Sequence, residues 1–387
     1  MIHFRNKKSI LFMNPDYHCT FAYRDELEKL GWKVAISVAQ TYPGKLLFSE
    51  DRIIRHGDRK QLTNSLSIIY GYVKYLLIHL TRIAKYRHHV YYGSLAGYQL
   101  FTKPKRIIGT LNSFAPFLAL AKIFRTKIIY LPSGCKDELL KSEFKIIEDG
   151  KICGNCGFFD LCDDSMNSRN FELVRKYAEF GIGVGWFNSS QYETKHMKWK
   201  SIDLDLWKPG LEIPNEFILG STKNIRILHS YFDSPDRFSN EINIKGSKHV
   251  SEAIDRLKSE GFEVELVFTK NVPSNQMRFI QAQCDILIDQ LIYGAWGSTT
   301  VEGLALGKPV ICYIREEWMD FFLKTFPEYT KLPVINATTE SIYSVLRKLL
   351  LDPSELRSYG ESSREFSLKH FDPSSNAKDL AALLLSF

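Results

Sequence analysis

Residues 285–314 read 285-DILIDQLIYGAWGSTTVEGLALGKPVICYI-314. The short apolar run from Asp285 to Asp289 has the length and composition of a buried strand. Gly294 and Gly297 break it. From Thr299 to Leu306 the residues have helical character, Lys308 and Pro309 end that helix, and Val310 to Ile314 is a second buried strand. A loop of this kind directs backbone N–H groups and the positive end of a helix dipole at one point, which suits a phosphate. Glu302 falls in the first turns of the same helix. A carboxylate has the wrong charge for a phosphate but accepts hydrogen bonds from sugar hydroxyls. Together these features point to a nucleotide-sugar diphosphate.

The run Gly297-Ser298-Thr299-Thr300-Val301-Glu302-Gly303-Leu304-Ala305-Leu306-Gly307-Lys308-Pro309-Val310 resembles the donor-binding signature of the group 1 glycosyltransferases of GT-B fold. That signature is Glu-x7-Glu, then an apolar helix and Gly-Lys/Arg-Pro-Val. Its second carboxylate, which holds ribose hydroxyls in the family, falls on Glu302. Its first, which touches the transferred sugar, falls on Gly294 and is missing. Ile244-Lys245-Gly246-Ser247 resembles the family's Lys-Gly motif, which implies that Lys245 contacts the diphosphate. An arginine about five residues earlier is common in the family. Here Asn240 stands there, so a second cation is absent or comes from Arg237. The 200–209 segment, KSIDLDLWKP, resembles the family's Asp-hydrophobic-x-aromatic-x-Pro hinge motif.

The resemblance implies an α/β fold of two Rossmann-like domains facing a cleft, and the cysteine cluster described below suggests a Cys-rich insertion in the first. Residues 1–208 would form the acceptor-side domain, with the insertion at about 135–165. Residues 209–387 would bind the nucleotide-sugar, and their last helix is a candidate to pack back on the first domain. The polar stretch from Pro209 to Lys223 supports a linker there independently.

Both halves follow one grammar. In the first, strands are expected at Ser9–Asn14, Trp32–Ser37, Val90–Tyr92, Arg106–Gly109, Lys127–Leu131 and Ile182–Phe187. Helices are expected at Thr20–Leu30, Ser65–Arg87 and Phe114–Phe124. In the second, strands are expected at Ile225–His229 and Glu263–Thr269. Its helices are expected at His249–Glu260, Asn275–Gln283, Ser341–Leu351, Pro353–Tyr359 and Phe371–Phe387. The 65–87 helix is rich in Ile, Leu and Tyr with interspersed Lys and Arg. It reads either as a helix packed on the sheet or as one lying on a membrane surface.

The 387 residues are 44% hydrophobic and 25% charged, which suits a globular chain of two or three cores. No apolar run reaches the roughly 18 residues of a spanning helix, and the N-terminus does not read as a secretory signal. Seven cysteines, an odd number, fit a reducing cytosol. The charge is uneven. Residues 1–130 carry 21 Lys and Arg against 7 Asp and Glu, and the remainder carries 30 against 37. A basic first half suggests a polyanionic partner for that half: nucleic acid, or an anionic membrane bearing a lipid-diphosphate acceptor. A solvated face is the plain alternative. The 1–130 stretch lacks an interleaved basic and aromatic base-reading motif, which disfavours nucleic acid.

A strand-end residue in a parallel layer faces the ligand crevice, so His229 is a donor-site candidate. By resemblance, the backbone near Val272 would meet the nucleobase. Asp289, Gln290 and Tyr293 lie where the loop would meet the sugar, and Gln290 or Tyr293 is a candidate to replace the missing carboxylate. The expected donor set is His229, Lys245, Gly246, Val272, Gln290, Tyr293, Gly297, Ser298, Thr299 and Glu302. The catalytic candidates are Lys245 and Glu302, with Asp16 or His18 as a base for the acceptor hydroxyl. A solvated lysine, a surface histidine and a capped turn at 14–18 are the corresponding non-functional readings. The resemblance implies retention of anomeric configuration without an enzymic base or metal.

Cys153-Gly154-Asn155-Cys156 is a C-x2-C knuckle, with Cys162 after it and Cys135 before it. Cys135, Cys153, Cys156 and Cys162 are candidates for a structural zinc site, for inert reduced thiols, or for an iron–sulfur or redox role. The expected function is transfer of a hexose from a nucleotide diphosphate sugar, UDP-linked, to a polyprenyl-linked or surface-glycan acceptor. It would take place in the cytoplasm, at the inner face of the membrane. A nucleotide-sugar 2-epimerase and a non-catalytic binding homologue are the alternatives.

Overall fold

The computed structural model describes residues 6–13, 17–39, 53–56, 76–95, 115–147, 151–156, 162–183, 190–197, 199–230, 245–269 and 272–387. The chain divides into two compact units. The first comprises Met1–Leu140, Asp163–Trp199 and Pro373–Phe387, and the second Lys141–Cys162 and Lys200–Asp372. The cysteine-bearing Lys141–Cys162 segment thus belongs to the second unit, apart from Cys135.

Among the described residues the first unit holds a seven-stranded parallel sheet. Its strands are β1 (Ser9–Met13), β2 (Lys33–Ala39), β3 (Ile53–His56), β4 (His88–Tyr92), β5 (Lys127–Leu131), β6 (Phe180–Gly183) and β7 (Thr194–His196). They run in the order β3-β2-β1-β4-β5-β6-β7. Parallel strands covered on both faces need continuous apolar runs, and β1, Ser-Ile-Leu-Phe-Met, is buried at every position. Pro373–Leu385 is a helix of this unit and packs on the Tyr17–Lys29 helix. His88 Nε2 lies 3.0 Å from the Leu384 carbonyl oxygen, and the Phe180 and Phe387 rings stack at 4.9 Å.

The second unit holds a four-stranded parallel sheet: β8 (Ile225–Ser230), β9 (Val264–Thr269), β10 (Ile286–Ile288) and β11 (Val310–Ile311), in the order β11-β10-β8-β9. The Ser247–Ser259 helix covers it with Val250, Ala253, Ile254 and Leu257, the 3–4 spacing of an apolar stripe. Those residues join Ile227, Ile286, Ile288, Ile311 and Leu346 in one core. No helix among the described residues is long and apolar enough to cross a membrane.

Several elements differ from the sequence expectation. β11 is shorter than the apolar run after Pro309, because beyond Ile311 the backbone leaves the ladder with β10: the Cys312 N–H donates to the Ile335 carbonyl and the Tyr313 N–H to the Gln290 carbonyl. The Pro353–His370 helix continues well past Tyr359. Its buried face there is largely small or polar, with Gly360, Ser363 and Ser367, so apolar periodicity does not mark it. The Asp164–Tyr177 and Glu316–Thr325 helices and strands β3 and β7 were not expected. The strand expected at Arg106–Gly109, and the 65–75 part of the long helix, lie outside the described residues. The helix there covers 76–85.

Candidate functional site

In the second sheet β8 has β9 on one side and β10 on the other. The crevice beyond the carboxyl ends of β8 and β10 is therefore the topological switch point, where open parallel sheets bind ligands. Register sets His229 of β8 beside Ile288 of β10, and Asp289 follows at once. Asp289 is 1% exposed.

The Ser298–Ala305 helix begins at this point. Its N-cap, Gly297, has no side chain, so its first turn lacks a local cap. Asp289 supplies one from the neighbouring strand end. Its Oδ2 accepts from the Gly297 N–H at 2.6 Å, the Thr300 N–H at 3.2 Å and the Thr300 hydroxyl at 2.8 Å. Lys245 closes the cluster. Its Nζ is 3.2 Å from Asp289 Oδ1 and donates to Thr299 Oγ1 at 3.2 Å. The Lys245 side chain is 20% exposed, so the cluster has an open side. Burial works against ionisation of Asp289. The Lys245 ammonium, the Thr300 hydroxyl and the Gly297 N–H outweigh it and hold the carboxyl below its ordinary value.

His229 is fully buried beside this cluster, with Nδ1 3.0 Å from the Ile288 carbonyl oxygen and Nε2 2.7 Å from Ser247 Oγ. Burial first, then the Lys245 ammonium, lower its pKa to about 4. Gly246 caps the Ser247 helix, and the Leu291 N–H donates to the Lys245 carbonyl at 3.2 Å. The lysine backbone is thereby tied to the 289–297 loop.

Gly294 has φ +79°, a left-handed conformation, and an added Cβ would lie 2.9 Å from Arg315 Cβ and 3.1 Å from Tyr313 Cε1. A carboxylate side chain has no room there. The Arg315 Nη1 donates to the Tyr293 carbonyl at 3.2 Å, and its guanidinium lies 5.3 Å from the Tyr293 ring centre and 5.7 Å from that of Phe144. The Gln290 carbonyl accepts from the Tyr313 N–H at 2.8 Å. Gln290 and Tyr293 thus help fix the loop through their backbones.

Glu302 is 5% exposed, and its Oε2 accepts from the Gln281 Nε2 at 2.6 Å. Gly303 lets the helix lie close on the sheet, since a Cβ there would meet Val310 Cγ2 at 2.6 Å and Leu287 Cδ1 at 2.8 Å. Arg364 binds the Ala305 carbonyl at the helix end at 2.6 Å, and the Trp207 carbonyl at 2.9 Å. The helix is therefore held at both ends.

The structure brings together His229, Lys245, Gly246, Gly297, Ser298 and Thr299. Glu302 lies farther along the same helix, and Val272 is half-buried in the turn after β9. His18 lies on the Tyr17–Lys29 helix of the other unit, and Asp16 lies outside the described residues. The cluster centres on Asp289, which the sequence places where the loop would meet the sugar but does not mark as the cap of the helix.

The four cysteines proposed for zinc are reduced and half-buried. Burial, and then the neighbouring Cys156 and Cys162, raise the Cys153 thiol above its ordinary value. Among the described residues no group of three or more His, Cys, Asp or Glu side chains is arranged to hold a metal ion.

Residues 220–366 match the model of the family described as Glycosyl transferases group 1. These residues are a group 1 glycosyl transferase domain. The match contains the Lys245, Asp289 and Glu302 positions, and it gives the chain a glycosyltransferase domain. Comparison with curated proteins found no match. Among solved structures, sucrose-phosphate synthase from Thermosynechococcus elongatus is similar at TM-score 0.60 and 13% identity, over 97% of this chain and 98% of that one. Anabaena HepE in complex with UDP and glucose is similar at TM-score 0.60 and 13% identity, over 98% and 100%. The catalytic domain of starch synthase IV from Arabidopsis thaliana, bound to ADP and acarbose, is similar at TM-score 0.56 and 9% identity, over 98% and 99%. At these identities the likeness shows the fold, which is GT-B.

Proposed function

We propose that this glycosyltransferase moves a hexosyl group from a UDP-linked sugar to a lipid-linked or surface-glycan acceptor, with retention of anomeric configuration. One observation carries the reading: the Lys245 ammonium stands 3.2 Å from Thr299 Oγ1 at the start of the Ser298 helix, at a sheet switch point. The leaving diphosphate gains negative charge as the glycosidic bond breaks. An ammonium and helix-start N–H groups fixed in advance stabilise that charge more than they stabilise the ground state. Glu302 would accept from the ribose hydroxyls. HepE, which shares the fold, has been solved with UDP and glucose, which supports a uridine donor. The basic character of residues 1–130 supports an acceptor presented at an anionic membrane surface.

Hydrolysis and transfer assays with labelled UDP-sugars, each donor in turn, test the reading. Lys245→Ala should abolish donor use while leaving the fold intact. Full turnover by that variant removes Lys245 from the site. UDP binding without turnover of any sugar would make the chain a binding homologue, and inversion at C2 of the sugar would make it a 2-epimerase. Binding to anionic liposomes should weaken with salt. Equal binding to neutral liposomes rejects the electrostatic account of the acceptor side.

A further inference from the structure

The helix start and Lys245 present the same sign of charge at one point. The first turn of a helix carries roughly half a positive charge, and the ammonium adds a full one. With no anion between them the two repel, and a lysine with part of its surface open would swing toward water. Asp289 stands between them, ion-paired with Lys245 and hydrogen-bonded to the helix start. One carboxylate oxygen faces the ammonium at 3.2 Å. The other takes two backbone N–H groups and a hydroxyl of the helix start. The family's first carboxylate position cannot serve, because Gly294 has no room for a side chain.

We propose that Asp289 is the positioning residue of the donor site, holding Lys245 and the first turn of the Ser298 helix in place for a diphosphate. It acts through Lys245 and the helix start. Its near-complete burial keeps it from contact with the donor, and so it does not replace the sugar-touching carboxylate. The inference rests on the reading that Lys245 meets the diphosphate.

The test is a double-mutant cycle on UDP binding, read by titration calorimetry, with wild type, Asp289→Asn, Lys245→Ala and the double variant. Asparagine keeps the volume and an acceptor for the helix start but loses the charge that holds the ammonium. Asp289→Asn should weaken UDP binding about tenfold or more in the wild type and less than about twofold in the Lys245→Ala background. Equal weakening in both backgrounds means a purely structural role and overturns the proposal. If Lys245→Ala alone leaves UDP binding unchanged, the reading of Lys245 fails first, whatever Asp289→Asn does. Should Asp289→Asn fail to fold, a crystal structure of wild type with UDP decides. Lys245 Nζ within about 3.5 Å of both Asp289 and a diphosphate oxygen supports the proposal, and a broken Lys245–Asp289 pair overturns it.

Discussion

The Ser247 hydroxyl lies 2.7 Å from His229 Nε2, while the other ring nitrogen of this fully buried imidazole faces the Ile288 carbonyl. The Ile288 carbonyl facing Nδ1 can only accept, so Nδ1 carries the proton. In the neutral ring Nε2 then accepts from Ser247. A second proton would reverse that hydrogen bond and place a charge beside Lys245.

The pH dependence of stability follows. His229, His79 and His88 each fall from the ordinary 6.5 to about 4, in every case because of burial first. Between about 6.5 and about 4 the unfolded chain binds protons that the folded chain does not. Stability therefore falls as the pH drops through that window, by up to about 1.4 kcal/mol per pH unit for each fully shifted histidine. Urea unfolding from pH 7 to 4 measures it. His229→Gln should show a shallower slope than wild type, and an unchanged slope would contradict a neutral buried His229.

Restoring the family's missing carboxylate should harm this protein. Gly294→Glu forces a side chain onto Arg315 and a left-handed backbone onto a residue with a Cβ. A loss of about 1–3 kcal/mol is expected, with UDP-sugar turnover at or below wild type. A variant as stable as wild type would show that the loop adapts.

Glu302 and Gln281 should separate stability from donor use. Glu302→Ala leaves the buried Gln281 amide without its 2.6 Å acceptor, at a cost of about 1–3 kcal/mol. Glu302→Gln keeps an acceptor and should melt near wild type, yet donor turnover should fall in both. A lower Tm with full turnover in Glu302→Gln would make the residue structural only.

The carboxyl-terminal helix should be indispensable to the first unit. Leu380 and Leu384 are fully buried in it. Leu384→Ala should cost about 2–5 kcal/mol, and removal of residues 373–387 should leave an insoluble or molten chain. Near-UV circular dichroism and solubility report both. A truncated chain with native spectra would count against this packing.

Much of the fold of the second unit was legible because buried parallel strands leave continuous apolar runs and helices end at marked glycines. The 285–314 stretch gives the strand, the loop and the helix to within a few residues. What stayed hidden involved long-range geometry. The Pro353–His370 helix buries glycine and serine, which carry no hydrophobic period. At the site, the sequence reading brought Lys245 to the Thr299 helix start, because each belongs to a short local motif. The capping of that helix by Asp289 was hidden. The aspartate precedes the N-cap by eight residues and caps it only once β10 has turned back, so no local capping pattern marks it.

One consequence of the interrupted first unit concerns synthesis. Its seven strands are complete once Trp199 has been made, but its closing helix begins at Pro373. At ordinary elongation rates the intervening residues take about 9–35 s to translate. Throughout that interval the Tyr17–Lys29 helix, on which the closing helix packs, lacks that partner at the ribosome. The amino-terminal unit, though begun first, is finished last.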